Sequence, residues 1–76
     1  MSTVVFVTRA GCTLCTDAHP MVEAEAARRG HAFAVEDVDD RGWQERFGDR
    51  VPVVLRDGVE VLAGRFGRRR VRRALG

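Results

Sequence analysis

The chain has 76 residues, of which 45% are hydrophobic and 32% are charged, a balance that is typical of a small globular domain and excludes a disordered segment. Its two cysteines are too few to form the framework of a secreted, disulfide-stapled domain. No apolar run is long enough for a transmembrane helix, and the N-terminus lacks the basic and apolar regions of a signal peptide. We therefore expect a single domain over residues 1–76, located in the cytoplasm, with no membrane as a partner.

The formal net charge is only +2, but all 13 basic residues are arginines and they are unevenly distributed. Six of them lie in the segment 65–73, whereas four acids lie in the segment 36–40. Aspartate is a preferred residue at helix N-termini. We therefore interpret the acidic run as a strand end and a helix cap rather than a cation site.

The first two predicted elements are a strand and a helix. Thr3–Thr8 is a run of β-branched and aromatic residues, and its near-continuous hydrophobicity suits a strand that is covered on both faces. From Cys12 to Arg29 the period becomes helical. Pro20 lies inside this segment and removes one backbone hydrogen bond, so we expect one continuous helix with a kink. The apolar stripe of this helix comprises Leu14, Ala18, Met21 and Val22.

The middle of the chain predicts a second strand and a short helix. His31–Val38 has a strand pattern. Asp39 or Asp40 is placed to cap a short helix that carries Trp43 and Phe47 four residues apart. We expect these two aromatic side chains to pack together against the sheet.

The last third of the chain predicts a hairpin and a final helix. Val51–Leu55 has a strand composition with a proline near its start, and Asp57-Gly58 is a strong signal for a tight turn into Val59–Ala63. Gly67–Leu75 then has a helical pattern. The apolar stripe of this last helix comprises Val71, Ala74 and Leu75.

The predicted order is β-α-β-α-β-β-α, which indicates an α/β fold. A strand–helix–strand start implies a right-handed parallel crossover, and the hairpin adds an antiparallel edge. We therefore expect a four-stranded mixed sheet with helices on both faces. Ligands of such sheets bind at the carboxyl ends of the strands, and the turn before Cys12 lies at that end.

Both cysteines lie in the motif Cys12-Thr13-Leu14-Cys15, at the junction between the first strand and the first helix. A thiol at a helix N-terminus faces unpaired N–H groups and the positive end of the helix dipole, so its pKa is expected to fall below the free value of about 8.5. A second thiol one turn later is close enough to form a disulfide. This context predicts thiol–disulfide chemistry.

The chain resembles the glutaredoxin-like branch of the thioredoxin-fold superfamily over nearly its whole length. The resemblance rests on the Cys12–Cys15 motif after the first strand, on Val51-Pro52 at the third strand, on the element order and on Pro20 in the first helix. It implies a thioredoxin-like fold and a thiol–disulfide oxidoreductase that takes part in electron transport. Cys12 is then the nucleophile and Cys15 the resolving thiol.

The same resemblance implies a substrate site around the cysteines. The Val51-Pro52 bond is expected to be cis and to face them, so that the Val51 backbone can pair with an extended substrate. Arg9 matches a basic residue that can meet a substrate carboxylate, and Thr13 and Leu14 complete the expected substrate-binding set. No bound cofactor is expected beyond the redox-active Cys12–Cys15 disulfide. The expected substrate is a disulfide-containing protein or a small thiol, and the expected electron donor is an external low-molecular-weight thiol or a reductase. We expect a monomer, and nucleic acid is not an expected partner.

Two departures from typical glutaredoxins concern glutathione. Typical members have Pro-Tyr between the cysteines, where this chain has Thr13-Leu14. They also have Gly-Gly followed by an aspartate near the last helix, whereas the segment Ala63–Arg68 has no acid. Glutathione is therefore not assumed to be the electron donor.

Two other functions compete with redox chemistry. Cys12 and Cys15 could bind zinc together with His19 or His31, but a structural zinc site needs four ligands and the chain has no second cysteine pair. We therefore predict no metal site within one chain, while a metal shared between chains stays open. The other alternative is a non-enzymatic binding module that uses the arginine-rich segment Arg68–Arg73 to meet an acidic or phosphate-bearing partner.

Overall fold

Four strands form the central sheet in the computed structural model, which describes residues 1–76. The strands are β1 (Thr3–Thr8), β2 (Ala32–Asp37), β3 (Val53–Arg56) and β4 (Val59–Ala63), and they lie in the order β2-β1-β3-β4. β1 pairs in parallel with β2 and antiparallel with β3, and β3 pairs antiparallel with β4. The predicted four-stranded mixed sheet is confirmed.

Helices cover both faces of this sheet. They are α1 (Thr13–Arg28), α2 (Val38–Arg41), α3 (Gln44–Phe47) and α4 (Arg68–Leu75). The larger core cluster joins α1 and α4 to one face, and a smaller cluster joins α2 and α3 to the other. None of these helices has both the length and the apolar composition needed to cross a membrane.

The central strand β1 contributes to both clusters because neighbouring side chains point to opposite faces. Val4 and Phe6 belong to the larger cluster, whereas Val7 belongs to the smaller one. All three are at most 1% exposed. This two-sided burial is the physical reason for the near-continuous hydrophobicity of the strand.

The first helix runs through Pro20 without interruption, as predicted. Its predicted ends shift by one residue, because Cys12 is the N-cap and Arg29 the C-cap. Glu25 and Arg29 form the ion pair that their spacing of four residues favours, with 2.7 Å between Arg29 Nε and Glu25 Oε2, and Arg28 joins them at 3.0 Å. The buried residues of the helix are Cys15, Ala18, Val22, Glu25 and Ala26, so the predicted stripe is only partly the observed one.

The prediction of a single helix after the second strand is wrong, because two short helices are present and the first begins earlier than predicted. Asp37, and not Asp39 or Asp40, caps α2, because its Oδ1 accepts from the backbone N–H groups of both those residues at 2.8 and 3.3 Å. Gly42 then adopts a left-handed conformation with φ of 69° and separates α2 from α3. The expected packing of Trp43 on Phe47 is confirmed, with ring centroids 5.4 Å apart in an edge-to-face arrangement.

Four strand boundaries also differ from the prediction, because β2 is one residue shorter at each end and β3 runs from Val53 to Arg56 instead of from Val51 to Leu55. Val38 belongs to α2 and is fully buried, so β2 ends at Asp37. The third strand begins at Val53, since Pro52 has no N–H group for a sheet ladder. The predicted hairpin at Asp57-Gly58 is confirmed, and both of its residues have positive φ, at 52° and 83°.

The last helix, α4, begins one residue later than predicted, because Gly67 is its N-cap. Val71 and Leu75 are buried against the larger cluster and Ala74 is half-buried, so the predicted apolar stripe is confirmed. The five arginines of α4 are all exposed. The helix therefore lies on the sheet through one narrow apolar stripe and presents arginine on its remaining surface.

Candidate functional site

The two cysteines lie where β1 ends and α1 begins. Gly11 makes the sharp turn between the two elements with φ of 79°, a conformation that favours glycine. Cys12 is the N-cap of α1 and has an extended backbone, and Cys15 lies in the first turn. The first cysteine therefore lies at the N-cap of α1 and the second in its first turn.

Cys12 and Cys15 form a disulfide, with 5.2 Å between their Cα atoms. Their surroundings are unequal, because Cys15 is only 3% exposed whereas Cys12 is half-buried. The backbone N–H of Cys15 donates a hydrogen bond to Cys12 Sγ at 3.1 Å. The sulfur that reaches the surface is thus also the one that receives a backbone donor.

The start of α1 adds a positive electrostatic environment around Cys12 Sγ. The N–H groups of Thr13 and Leu14 have no acceptor within the helix, because no helical residue precedes them by four positions. The aligned peptide dipoles add partial positive charge at this end. The first turn contains no acidic residue. This arrangement favours a negative charge on the Cys12 sulfur over a neutral thiol.

Val51 faces this sulfur from the opposite side of the site. Its carbonyl oxygen lies 4.0 Å from Cys12 Sγ, and the Val51-Pro52 peptide bond is cis, as the resemblance implies. Neither the N–H nor the C=O of Val51 makes a backbone hydrogen bond. Pro52 is buried behind it. One residue of unpaired, strand-like backbone therefore borders the disulfide.

A shallow depression of about 450 Å³ surrounds the disulfide. Its walls include Arg9 and Thr13 from the predicted substrate-binding set, together with both cysteines. Leu14 does not line this depression and is half-buried. The structure therefore brings Arg9 and Thr13 to the disulfide on one side, with Val51 on another.

Arg9 is held in place by an acid from the far side of the sheet. Its guanidinium lies 3.2 Å from Asp39 Oδ1 and donates to Oδ2 at 3.3 Å. Arg9 remains 39% exposed in its side chain. The ion pair orients the arginine at the rim of the depression and neutralises part of its charge.

His19 also lines the depression, although the sequence pointed to it only as a possible metal ligand. Its ring stacks between Phe6 and Phe33, with centroid distances of 5.3 and 5.8 Å. The available signal was its position four residues after Cys15, which places both on one helix face. The chain contains no group of three or more His, Cys, Asp or Glu side chains that could hold a metal ion.

The chain is similar to known proteins over most of its length. The family described as Glutaredoxin-like domain (DUF836) matches residues 3–76. Uncharacterized protein Rv0508 of Mycobacterium tuberculosis and Uncharacterized protein Mb0520 of Mycobacterium bovis are each 36% identical over 63 residues, covering 75% of this chain. The chain spans 65% of the length of these curated relatives.

One solved structure supports the fold. The solution NMR structure of protein Ne2328 from Nitrosomonas europaea has a TM-score of 0.70 to this chain, with 20% identity, and the match covers 86% of this chain and 80% of that one. Together with the family match and the mixed sheet, this similarity confirms the thioredoxin-like fold.

Proposed function

Because this chain belongs to the glutaredoxin-like domain family, we propose that it is a thiol–disulfide oxidoreductase that reduces protein or low-molecular-weight disulfides. One observation carries the proposal: Cys12 and Cys15 are joined at the start of α1, with Cys12 Sγ receiving a backbone hydrogen bond at 3.1 Å. A buried pair of inert thiols would have no need of an exposed sulfur, a helix N-terminus and an adjacent unpaired backbone segment.

The reaction proceeds by two disulfide exchanges. The Cys12 thiolate attacks one sulfur of the substrate disulfide; an S–S bond forms, the substrate S–S bond breaks, and the released sulfur takes a proton from water. Cys15 then loses its proton and attacks Cys12 Sγ, which releases the second substrate thiol. Two electrons pass to the substrate, and the Cys12–Cys15 disulfide is left behind.

The unequal exposure of the two sulfurs supports these roles. Cys12 is the more accessible to an external disulfide, whereas Cys15 is only 3% exposed and lies beside the sulfur of Cys12. Cys12 is therefore the nucleophile and Cys15 the resolving thiol. The short distance between their Cα atoms, 5.2 Å, allows the second exchange without backbone rearrangement.

Substrate binding is proposed to use the depression on one side of the disulfide and the Val51 backbone on the other. The unpaired N–H and C=O of Val51 can form strand-like hydrogen bonds with an extended substrate, and Pro52 prevents the following backbone N–H from competing. Arg9 can attract a substrate carboxylate. Thr13 and Leu14 contribute the free N–H groups of the first helical turn.

The electron donor is proposed to be an external low-molecular-weight thiol or a flavin-dependent reductase, and no bound cofactor is needed. We propose a monomer that acts as a single domain in the cytoplasm, a compartment in which a dithiol is kept reduced. The segment Ala63–Arg68, where typical glutaredoxins have an acid that binds the amino end of glutathione, contains none. The sequence therefore does not favour glutathione over other electron donors.

Single-cysteine variants test the proposal directly. Cys12→Ser should abolish reduction of a generic disulfide in a coupled assay, whereas Cys15→Ser should accumulate a mixed disulfide that mass spectrometry detects. The assay compares glutathione, another small thiol and a thioredoxin reductase as donors. Full turnover in both variants, or no activity of the unaltered protein with any donor, would rule out the assignment.

A further inference from the structure

The arginines of this chain divide into two groups by their contacts. All seven arginines outside the segment 65–73 contact a carboxylate, a backbone or hydroxyl oxygen, or an aromatic ring. The six arginines within that segment have no carboxylate within 4.0 Å, and only the Arg70 side chain donates a hydrogen bond, to the carbonyl oxygen of Arg65 at 3.5 Å. The unpaired positive charge is therefore concentrated on and beside α4.

This concentration is unfavourable for α4 by itself. Arg68 and Arg72, and likewise Arg69 and Arg73, are spaced four residues apart, where like charges repel. The first turn of the helix contains arginines and no acid, and Gly67 provides no side-chain cap. A bound anionic group would relieve this repulsion. The chain itself supplies no such group within 4.0 Å of these side chains.

A groove of about 600 Å³ runs between α4 and α1 beside these arginines. Arg68 and Arg72 lie along its α4 side, and its apolar lining consists of Pro20, Met21, Ala24 and Val71. Glu25 also lines it, but its carboxylate is already bound by Arg28 and Arg29. Asp17 also lines the groove and has no ion-pair partner within 4.0 Å, so the groove combines an apolar lining with two unpaired arginines and one unpaired carboxylate.

The groove begins next to the redox site. Thr16 lines the depression around the disulfide, and its neighbour Asp17 lines the groove. Asp17 lies five residues after Cys12, which corresponds to about 7.5 Å along a helix axis. Both surfaces are thus lined by the N-terminal half of α1, so a few residues of extended chain, at about 3.3 Å each, would join a segment in the groove to a disulfide at Cys12.

We propose that the groove and the arginine face of α4 bind an acidic polypeptide segment with an apolar side chain, and that this segment belongs to the disulfide-bearing protein substrate; the second statement rests on the proposed function. Carboxylates of the segment pair with Arg68 and Arg72, while the apolar side chain occupies the lining around Met21 and Val71. The face determines which protein disulfides reach Cys12.

A polypeptide fits this surface better than a nucleic acid. The arginine helix has eight residues and is therefore about 12 Å long, enough for only a few backbone phosphates. Single-stranded nucleic acids also stack on exposed aromatic rings. Phe66 is the nearest aromatic residue in sequence, and it is half-buried against the larger core cluster.

A binding experiment tests the surface separately from the chemistry. The full chain carrying Cys12→Ser and Cys15→Ser is titrated with a short peptide of alternating Glu and Leu, with its Gln and Leu counterpart, and with a single-stranded oligonucleotide. We expect the acidic peptide alone to bind, and Arg68→Gln with Arg72→Gln to weaken it about tenfold at low salt. The matched control, Arg41→Gln with Arg46→Gln, removes the same charge from the other side of the sheet and should leave binding within about twofold.

A kinetic experiment tests the link to the substrate. In the chain with both cysteines, Arg68→Gln with Arg72→Gln should lower kcat/KM for a disulfide-linked acidic peptide about tenfold, and leave that for hydroxyethyl disulfide unchanged. The docking surface would be overturned if the oligonucleotide bound more tightly than the acidic peptide, or if the Arg68→Gln and Arg72→Gln variant bound the acidic peptide as tightly as the chain with both arginines. Neither result would affect the proposed reductase activity. Peptide binding at α4 without reduction of any disulfide would overturn the proposed function and the substrate assignment instead.

Discussion

The backbone N–H of Cys15 donates a hydrogen bond to the sulfur of Cys12, with 3.1 Å between the two atoms. The sulfur occupies the position that a serine or aspartate oxygen takes at an ordinary helix N-cap. After reduction, the same N–H can stabilise a thiolate on Cys12, but no equivalent donor is provided for Cys15 within its own helical turn. The fold therefore distinguishes two cysteines that the sequence presents as a symmetrical pair.

This asymmetry predicts the order in which the reduced thiols react. At neutral pH, iodoacetamide should modify Cys12 at least about tenfold faster than Cys15, because the thiolate is the reactive form and because Cys15 is 3% exposed. Peptide mapping by mass spectrometry at short reaction times measures both rates in one sample.

The denatured chain provides the control for this measurement, since unfolding removes both the helix N-terminus and the burial. The two rates should then differ by less than about twofold. Equal rates in the folded protein would contradict the assigned roles of nucleophile and resolving thiol.

Much of the fold was predictable because its patterns are local. β1 is hydrophobic on both sides because it contacts both core clusters, and the helical period after Cys12 reflects burial of one helix face in the larger cluster. The Asp57-Gly58 turn depends only on the backbone conformation of those two residues. The region after β2 was predicted less well. Several acids compete there for one cap, and the choice of Asp37 depends on where β2 ends, which pairing with β1 determines.

The site was predictable in part for a different reason. The cysteines are visible as a motif, but the approach of Val51 to Cys12 joins residues 39 positions apart and no local period encodes it. Only the resemblance to glutaredoxins indicated this contact. His19 was missed as a wall of the site because its position depends on stacking against Phe6 and Phe33 from two strands.

Glu25 is predicted to make folding dependent on pH. Hydrogen bonds from Arg28 and Arg29 hold the pKa of Glu25 below its ordinary value of 4.5. A carboxyl with a lower pKa in the folded state binds fewer protons there than in the unfolded state. Its contribution to the free energy of unfolding is therefore complete above the unfolded-state pKa and is lost as the pH falls through the folded-state pKa. Glu25→Gln should therefore lower the urea midpoint at pH 7, and this difference should shrink below about pH 4.5.

Glu23→Gln is the matched control for this prediction. Glu23 lies on the same helix with a side chain that is 60% exposed, and its only ion-pair partner is His19 at 3.6 Å. Its substitution should shift the midpoint less at pH 7. A constant difference between Glu25→Gln and the unaltered protein from pH 7 to pH 3 would show that the ion pairs do not contribute.

Leu75 is predicted to be essential for stability although it is the penultimate residue. It is fully buried in the larger core cluster together with Val71. Leu75→Ala should reduce the free energy of unfolding by about 2–4 kcal/mol, a large part of the stability of so small a domain. Val59→Ala is the control, since Val59 is 63% exposed, and it should cost less than about 1 kcal/mol in the same denaturation experiment. Similar losses in both variants would contradict docking of the chain end.

His31 is predicted to adopt a single tautomer, because its two ring nitrogens contact the Ser2 N–H and the carbonyl oxygen of Leu75 at the end of α4. The N–H of Ser2 donates to His31 Nδ1 at 3.1 Å, so Nδ1 must be the unprotonated nitrogen. The carbonyl oxygen of Leu75 lies 2.8 Å from Nε2 and can only accept, so Nε2 must be the protonated one. Long-range ¹H–¹⁵N spectra at pH 8 should therefore show the Nε2–H tautomer for His31, with His19 as an internal comparison. His31→Ala leaves the Ser2 N–H and the Leu75 carbonyl, both on buried residues, without this hydrogen bond and should cost about 1–2 kcal/mol of unfolding free energy. An Nδ1–H tautomer or an equal mixture at His31 would contradict this connection between the residue before β1, the residue before β2 and the end of α4.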